Sequence, residues 1–398
     1  MNLLQVTPTN VYPPADGGQH RSHGLVSALP ELGDTVYRYC QGGHLSNYLS
    51  FDLHRTVSVT ANYDEFQHLN PVFDVTRMPE LFGLPNVFIG HSLKLMKPSR
   101  LLDRIDWADV VLVELPWQVP AVTELADDKT PVLYSSHNVE AERFESTGES
   151  ALDGWFTDRV ATIERAALRA SDAVVCTSQR DTEEFRRRFD VDFDDVVAPN
   201  GVSQESIGNS NQLTPTVDIA DKHAIEADTI ALFVGTNYGP NHEAANAVLR
   251  MAESSLDRGL SVHFLIVGSV GQSIADAPAN VSVTGFVPEL HPYFDGADIG
   301  LNPIVSGSGT NIKLLEYLAH GLPVVTTEFG VRGFDITDGR EAVVASLDEF
   351  VDAIERVASD QSLRECLTNA GQRYVRRNHR WEQISTDLRR CLVELIDD

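Results

Sequence analysis

The sequence predicts an α/β protein of two Rossmann-like βαβ domains facing each other across a cleft. Three observations carry this. At 398 residues the chain exceeds what one hydrophobic core commonly supports, so two domains of similar size are expected. Short apolar runs alternate with amphipathic stretches throughout, the pattern of βα units on parallel sheets. One acidic, polar stretch with little periodicity, 203–228, separates two such series. The expected boundaries are therefore 1–202, a linker at 203–228, 229–377, and a closing helix within 378–398.

In the first half, Leu3–Val6 reads as a strand. A loop, Thr7–Gly18, follows with three prolines and the pair Gly17–Gly18, and then a helix from Gln19 to about Leu32. Val110–Val113, Val132–Tyr134 and Ala173–Cys176 are buried-strand candidates, and Val196–Val202 reads as a last short strand ending in a turn. Residues 40–105 show a mixture of strand, loop and short helix. The second series has strands at Ile230–Val234, Val262–Val267, Val281–Phe286, Ile299–Pro303, Val324–Thr326 and Ala342–Ala345. Helices are expected at about 241–257, 310–319, 348–358, 361–377 and 381–396. Ligands of such folds bind at the carboxyl ends of the strands, here the expected inter-domain cleft.

The charge narrows the setting. Asp and Glu number 58 against 31 Lys and Arg, a net −27 with a pI near 4.7, and Lys occurs only at 94, 97, 129, 222 and 313. Such a surface repels itself at low salt, whereas molar salt shortens the Debye length to roughly 3 Å. A high-salt cytoplasm resembling that of a haloarchaeon is expected, the alternative being an acidic mesophilic protein. Nucleic acid is not expected as a partner, since its phosphates would be repelled. The four cysteines lack metal-ligand or CxxC spacing, which fits a reduced cytoplasm. No basic region precedes the first strand and no apolar run approaches about 20 residues, so neither a signal peptide nor a membrane span is expected. Localisation is expected to be cytoplasmic, with peripheral attachment to the membrane face left open.

The most informative segment is Asn302–Thr327, NPIVSGSGTNIKLLEYLAHGLPVVTT. A strand runs into a Gly/Ser-rich turn, a helix opens near Gly309–Thr310, and Gly321 stops it. Small residues at 306–310 let a ligand approach the backbone. Free N–H groups at the helix start, at Gly309, Thr310 and Asn311, suit an anion such as a diphosphate. Lys313 can reach back to a phosphate, and Glu316, at i+3 on the same face, can accept both hydroxyls of a ribose.

This segment resembles the donor-site motif of the retaining glycosyltransferases of family 4 (glycosyl transferases group 1), enzymes of the GT-B fold, and the resemblance implies a C-terminal helix crossing back to the N-terminal domain. The motif's two glutamates are separated by seven residues across a Gly-rich turn. Glu316 matches the second. Ser308 stands where the first, which contacts the donor sugar, is expected. By the same resemblance, Gly235 in FVGTNYGPN lines the donor cleft, and Phe286 and Val287 in VTGFVP read the nucleobase edge. Gly17 and Gly18 in PADGG let the first domain approach the phosphates, and His137 in YSSHNVEAER faces the reacting sugar. A flexible turn at Gly17–Gly18, and a His137 satisfied by Glu140 or backbone, are the bland alternatives.

The resemblance implies a nucleotide-diphosphate sugar as co-substrate, a glycan or lipid-linked acceptor, and retention at the anomeric carbon. The leaving diphosphate needs charge stabilisation, which fixed N–H donors and Lys313 can supply, so no cofactor and no metal is required. Competing expectations are an epimerase or phosphorylase on the same fold, or a catalytically silent nucleotide-sugar-binding protein suggested by Ser308. A nicotinamide enzyme is disfavoured because no G-x-G-x-x-G follows the first strand. Finally, 91–104 (HSLKLMKPSRLLDR) interleaves basic and apolar residues, a pattern suited to peripheral membrane contact or to a solvated segment beside the acceptor site.

Overall fold

The computed structural model describes residues 1–14, 16–42, 54–79, 84–145, 151–204, 206–207 and 219–397. It divides into two compact units, Met1–Asn200 with Trp381–Asp398, and Gly201–Arg380.

The first unit is built on an 8-stranded sheet. Its strands are β1 (Asn2–Thr7), β2 (Thr35–Cys40), β3 (His54–Thr60), β4 (Tyr63–His68), β5 (Val110–Glu114), β6 (Val132–Ser135), β7 (Ala173–Cys176) and β8 (Asp195–Val197). The order is β3-β4-β2-β1-β5-β6-β7-β8, parallel throughout except for the antiparallel β3–β4 hairpin. Alternation of side chains feeds two cores. Leu4, Val6, Val111 and Val113 face one, while Leu3, Val110, Leu112 and Val175 face the other. The second core is closed by Trp381, Ile384, Leu388 and Leu392 of the last helix, Trp381–Asp397. Gly24 makes room for this helix, since a Cβ there would fall 2.1 Å from the Trp381 ring.

The second unit holds a fully parallel 6-stranded sheet. Its strands are β9 (Thr229–Val234), β10 (Val262–Val267), β11 (Val281–Val283), β12 (Ile299–Asn302), β13 (Val324–Thr326) and β14 (Val343–Val344), in the order β11-β10-β9-β12-β13-β14. Both sheets reverse their winding direction at one place, between β1 and β5 in the first and between β9 and β12 in the second. Loops leaving the carboxyl ends there diverge and leave a crevice.

Several elements differ from expectation. β2 falls between the expected first helix and residues 40–105, and β3 and β4 fall within those residues, none of them given as a strand; in β2 and β4 the apolar pattern is interrupted by Arg38 and Glu65. These two are an ion pair at 2.9 Å with both side chains fully buried. The helix expected from Gln19 starts at Gly17 and ends at Gly24. Asp16 accepts from the Gln19 amide and the Gln19 side chain returns to the Asp16 backbone, a capping box that makes both glycines helical. Leu29–Leu32, carrying Pro30, is a separate 3-10 turn. β11 stops at Val283 because Gly285 (φ 68°) turns the chain. The stretch read as a linker packs, in its described parts, into the second unit through Ile207, Ile219 and Ile225. Its residues 205 and 208–218 lie outside the described residues, as does Ala15 of the PADGG loop. No helix among the described residues is long and apolar enough to cross a membrane.

Candidate functional site

The Asn302–Thr327 segment lies on one side of the second unit's switch point. β12 can pack close to the helix after it because Gly300 has no side chain: a Cβ would sit 2.8 Å from the Tyr317 ring. Tyr317 in turn accepts a hydrogen bond from the Val234 amide at 2.9 Å, tying the helix to the end of β9. The connecting turn uses two positive-φ glycines, Gly307 (φ 112°) and Gly309 (φ 65°), which side-chain-bearing residues would adopt only with strain. Buried Asn302 fastens the turn from below. It donates to Thr326 and to the Gly330 carbonyl, and accepts from the Asn311 side chain at 2.8 Å. Arg332 fastens it from the side, donating to the Gly309 carbonyl at 2.8 Å.

The helix itself begins at Ile312, two residues later than expected, with Asn311 as N-cap. Asn311 spends its side chain on Asn302, so it does not cap the first turn, and no acidic residue sits there. No side chain therefore caps the first turn from within, an arrangement suited to an anion. Leu314, Leu315, Leu318 and Ala319 bury the opposite face. Gly321 (φ 78°) ends the helix, with the Leu322 amide bonding back to the Tyr317 carbonyl.

Lys313 and Glu316 emerge together on the half-buried face. Lys313 Nζ donates to Asn241 Oδ1 at 2.8 Å and lies 4.6 Å from the centre of the Phe233 ring. Burial lowers its ammonium pKa to about 7. Burial likewise raises the Glu316 carboxyl to about 7, against a hydrogen bond from Ser206 that favours the carboxylate. Asn241 belongs to the helix Gly239–Asp257, which follows β9 on the other side of the switch point. Gly307 approaches the same helix, a Cβ on it lying 3.3 Å from Pro240, and Ser306 donates to Glu243 at 2.6 Å. Two strand-to-helix turns therefore converge, and a cation and a carboxylate stand beside uncapped amides. That set can take a diphosphate and a diol.

Other predicted residues fall around this turn differently. Gly309 is buried, while Ser308, Thr310 and Asn311 are partly exposed. Gly235 is buried rather than open. Its carbonyl accepts from Val270, and a Cβ on it would press on Val270, Phe233 and Asn241 at 3.1–3.3 Å. Close packing is the reason for glycine there. Phe286 is 75% exposed beside the partly exposed Val287, after the turn at Gly285.

The first unit carries a second constellation, also at its switch point. His137, just past β6, places Nε2 2.8 Å from Glu114 Oε2 and 3.4 Å from Ser22 Oγ. Its partner is thus Glu114 at the end of β5, not Glu140, which is buried and ion-paired with Arg143. Glu114 also accepts from Gln5 of β1 at 2.6 Å. Burial pushes its carboxyl up, but His137, Gln5 and Arg21 together hold it below its ordinary value. Gly18 lies over the imidazole, a Cβ there being 3.2 Å from Nδ1, and exposed Gly17 opens the same helix. Glu114, Glu243 and Arg332 lay outside every motif in the sequence, and Asn241 and Asn302 lay inside quoted segments with no role assigned to them. Only the position of Glu114 at the end of an apolar run pointed to it.

The basic stretch 91–104 divides between two helices, Ile89–Met96 and Ser99–Trp107. Leu93 and Leu101 are in the core. Arg100 lies over the Phe66 ring at 4.2 Å and Arg104 over Tyr37 at 4.0 Å, and Lys94 pairs with Glu124. Leu95, 82% exposed, and Met96 form the open apolar tip.

Family models match most of the chain, one for a glycosyl transferase 4-like domain over residues 16–201 and one for glycosyl transferases group 1 over 228–360. No curated protein sequence matches it. Among solved structures it is similar to sucrose-phosphate synthase from Thermosynechococcus elongatus, at 14% identity, with 100% of each chain covered and a TM-score of 0.72. It is also similar to the E. coli trehalose-6-phosphate protein bound with UDP-2-fluoro glucose, at 14% identity, 98% of each chain covered and a TM-score of 0.69. HepE from Anabaena, solved with UDP and glucose, matches at 12% identity, with 98% of this chain and 99% of that chain covered and a TM-score of 0.67. At such identities the likeness is one of fold, the GT-B architecture of two Rossmann-like domains.

Proposed function

The chain belongs to the glycosyl transferases group 1, and from that premise we propose that it moves a sugar from a nucleoside-diphosphate donor to a glycan or lipid-linked acceptor, with retention of anomeric configuration. The observation that carries the donor assignment is the uncapped start of the Ile312–Ala319 helix with Lys313 beside it. In this reading the diphosphate rests on the amides around Gly309, Thr310 and Asn311 and on Lys313. Glu316 takes the ribose diol, and Phe286 and Val287 flank the nucleobase. UDP is the first base to test, since HepE and the E. coli protein were solved with UDP or a UDP-sugar.

As the bond from the anomeric carbon to the diphosphate breaks, negative charge gathers on the departing oxygen, where fixed donors and an ammonium stabilise it. The acceptor hydroxyl bonds to the same face of that carbon and passes its proton to the departing diphosphate. No metal is assigned to this step, so added Mg2+ or Mn2+ is expected to leave the rate unchanged. His137, held by Glu114, is assigned to the reacting sugar, and Gly17 and Gly18 to the approach of backbone toward the phosphates. With Ser308 in place of a carboxylate, Glu243, bonded to Ser306, is the acid we assign to the sugar hydroxyls. The tip at Leu95–Met96, flanked by Lys94 and Lys97, supports peripheral contact with a membrane carrying a lipid-linked acceptor. Liposome flotation tests it, and failure to float leaves the soluble glycan.

Ser308 also favours one second reading, a nucleotide-sugar binder without turnover. The two part on a single experiment: incubation with UDP-, GDP- and dTDP-sugars with and without acceptor extracts. A transferase releases nucleoside diphosphate only when acceptor is present and gives a retained anomer by NMR. Tight binding with no release in any combination would leave the binder, and an inverted anomer would overturn retention.

A further inference from the structure

A second set of chemically able side chains lies in the second unit, away from the 307–316 turn. His291 opens and Asp295 closes the short helix His291–Asp295, one turn apart and so on one face. His320 is the C-cap of the Ile312–Ala319 helix. One ligand atom from each of the three lies within 4.8 Å of the others. His320 Nδ1 is 3.3 Å from Asp295 Oδ1, and the two imidazole centroids are 4.5 Å apart, inclined at 71°.

We propose that His291, Asp295 and His320 form a binding site for a divalent transition metal, with Zn2+ as the best fit. Two imidazoles and one carboxylate are a donor set suited to zinc, whereas Mg2+ and Ca2+ take all-oxygen shells. Ligands at roughly 2.0–2.2 Å from a tetrahedral ion stand roughly 3.3–3.5 Å from one another. The His320–Asp295 pair is already at that spacing. The remaining contraction falls on His291 and Asp295, both exposed and free to change rotamer. His320 is the fixed ligand. Its side chain is 4% exposed and its ring stacks on Phe294 at 4.6 Å, which Tyr317 holds edge-on at 5.7 Å. Three protein ligands leave a fourth position for water. The ion fastens the His291–Asp295 helix to the end of the helix that carries Lys313 and Glu316, so its role is to brace that helix from its far end. The site does not depend on the assignment of the donor.

The test uses the full chain stripped with chelator and titrated with Zn2+ by calorimetry, with Co2+ as a spectroscopic stand-in whose visible bands report nitrogen–oxygen coordination. The expected result is one equivalent bound and a raised Tm on adding Zn2+. His291→Ala and Asp295→Asn, both surface changes, should each weaken binding by at least the roughly tenfold that losing even an outer-shell partner costs. Unchanged far-UV circular dichroism in these variants separates loss of the site from loss of the fold. No saturable binding by the wild type, or equal affinity in both variants, would overturn the proposal.

Discussion

Donor affinity should depend on pH in a way that reports Lys313 and Glu316 separately. In the ligand-free protein, burial lowers Lys313 to about 7 and raises Glu316 to about 7. The diphosphate calls for the ammonium, which is lost as pH rises through 7. The ribose calls for the carboxylate, which is lost as pH falls through 7. Affinity is therefore expected to peak near neutrality and decline on both sides. Half of Lys313 is charged at its pKa and about 3% at pH 8.5, so affinity should fall roughly 16-fold over that interval, about 1.6 kcal/mol. The sugar diphosphate itself does not titrate there. Calorimetric titration with UDP-glucose between about pH 5.5 and 8.5, at fixed salt, reads both limbs. Lys313→Met should flatten the alkaline limb alone and Glu316→Gln the acid limb alone. An alkaline limb that survives in Lys313→Met would refute the assignment of Lys313 to the diphosphate.

Glu114→Gln keeps the shape of the His137 partner but removes its charge, and should lower kcat by roughly 10- to 100-fold with donor affinity unchanged. Equal losses in kcat and donor binding would point to collapse of the buried network instead. Gly24→Ala places a methyl into the Trp381 ring and should cost about 1–3 kcal/mol, read as a lower urea midpoint at unchanged slope. A midpoint equal to that of the wild type would contradict the packing described. With a net charge of −27, the Tm should rise as KCl goes from about 0.1 to 2 M, and a flat or falling Tm would remove the case for a high-salt setting.

Much of this was legible in the amino-acid order, and what was not has physical reasons. The strands of the second unit read as apolar runs because parallel strands covered on both faces bury every side chain, as in Phe264–Val267. β2 and β4 were hidden because Arg38 and Glu65 occupy core positions, a pairing visible only in three dimensions. The helix starts at Gly17 rather than Gln19 because Asp16 and Gln19 cap it reciprocally, in a stretch that its prolines and paired glycines mark as loop. Lys313 and Glu316 were readable because their spacing on one helix is local. Asn241, 72 positions before Lys313, and Glu114, 23 before His137, are long-range partners that no spacing encodes. Arg332 reaches the Gly309 carbonyl from a turn after the next strand, for the same reason.

The central claim is that a nucleoside-diphosphate sugar is bound by the turn and helix at 307–316. Hydrogen–deuterium exchange with and without saturating UDP-sugar tests it most directly, because the N–H groups at the helix start are left uncapped by side chains. Slowed exchange is predicted at amides 309–313, in the wild type and not in Lys313→Ala at the same ligand concentration. Protection that appears elsewhere while 309–313 exchange at the ligand-free rate would contradict it.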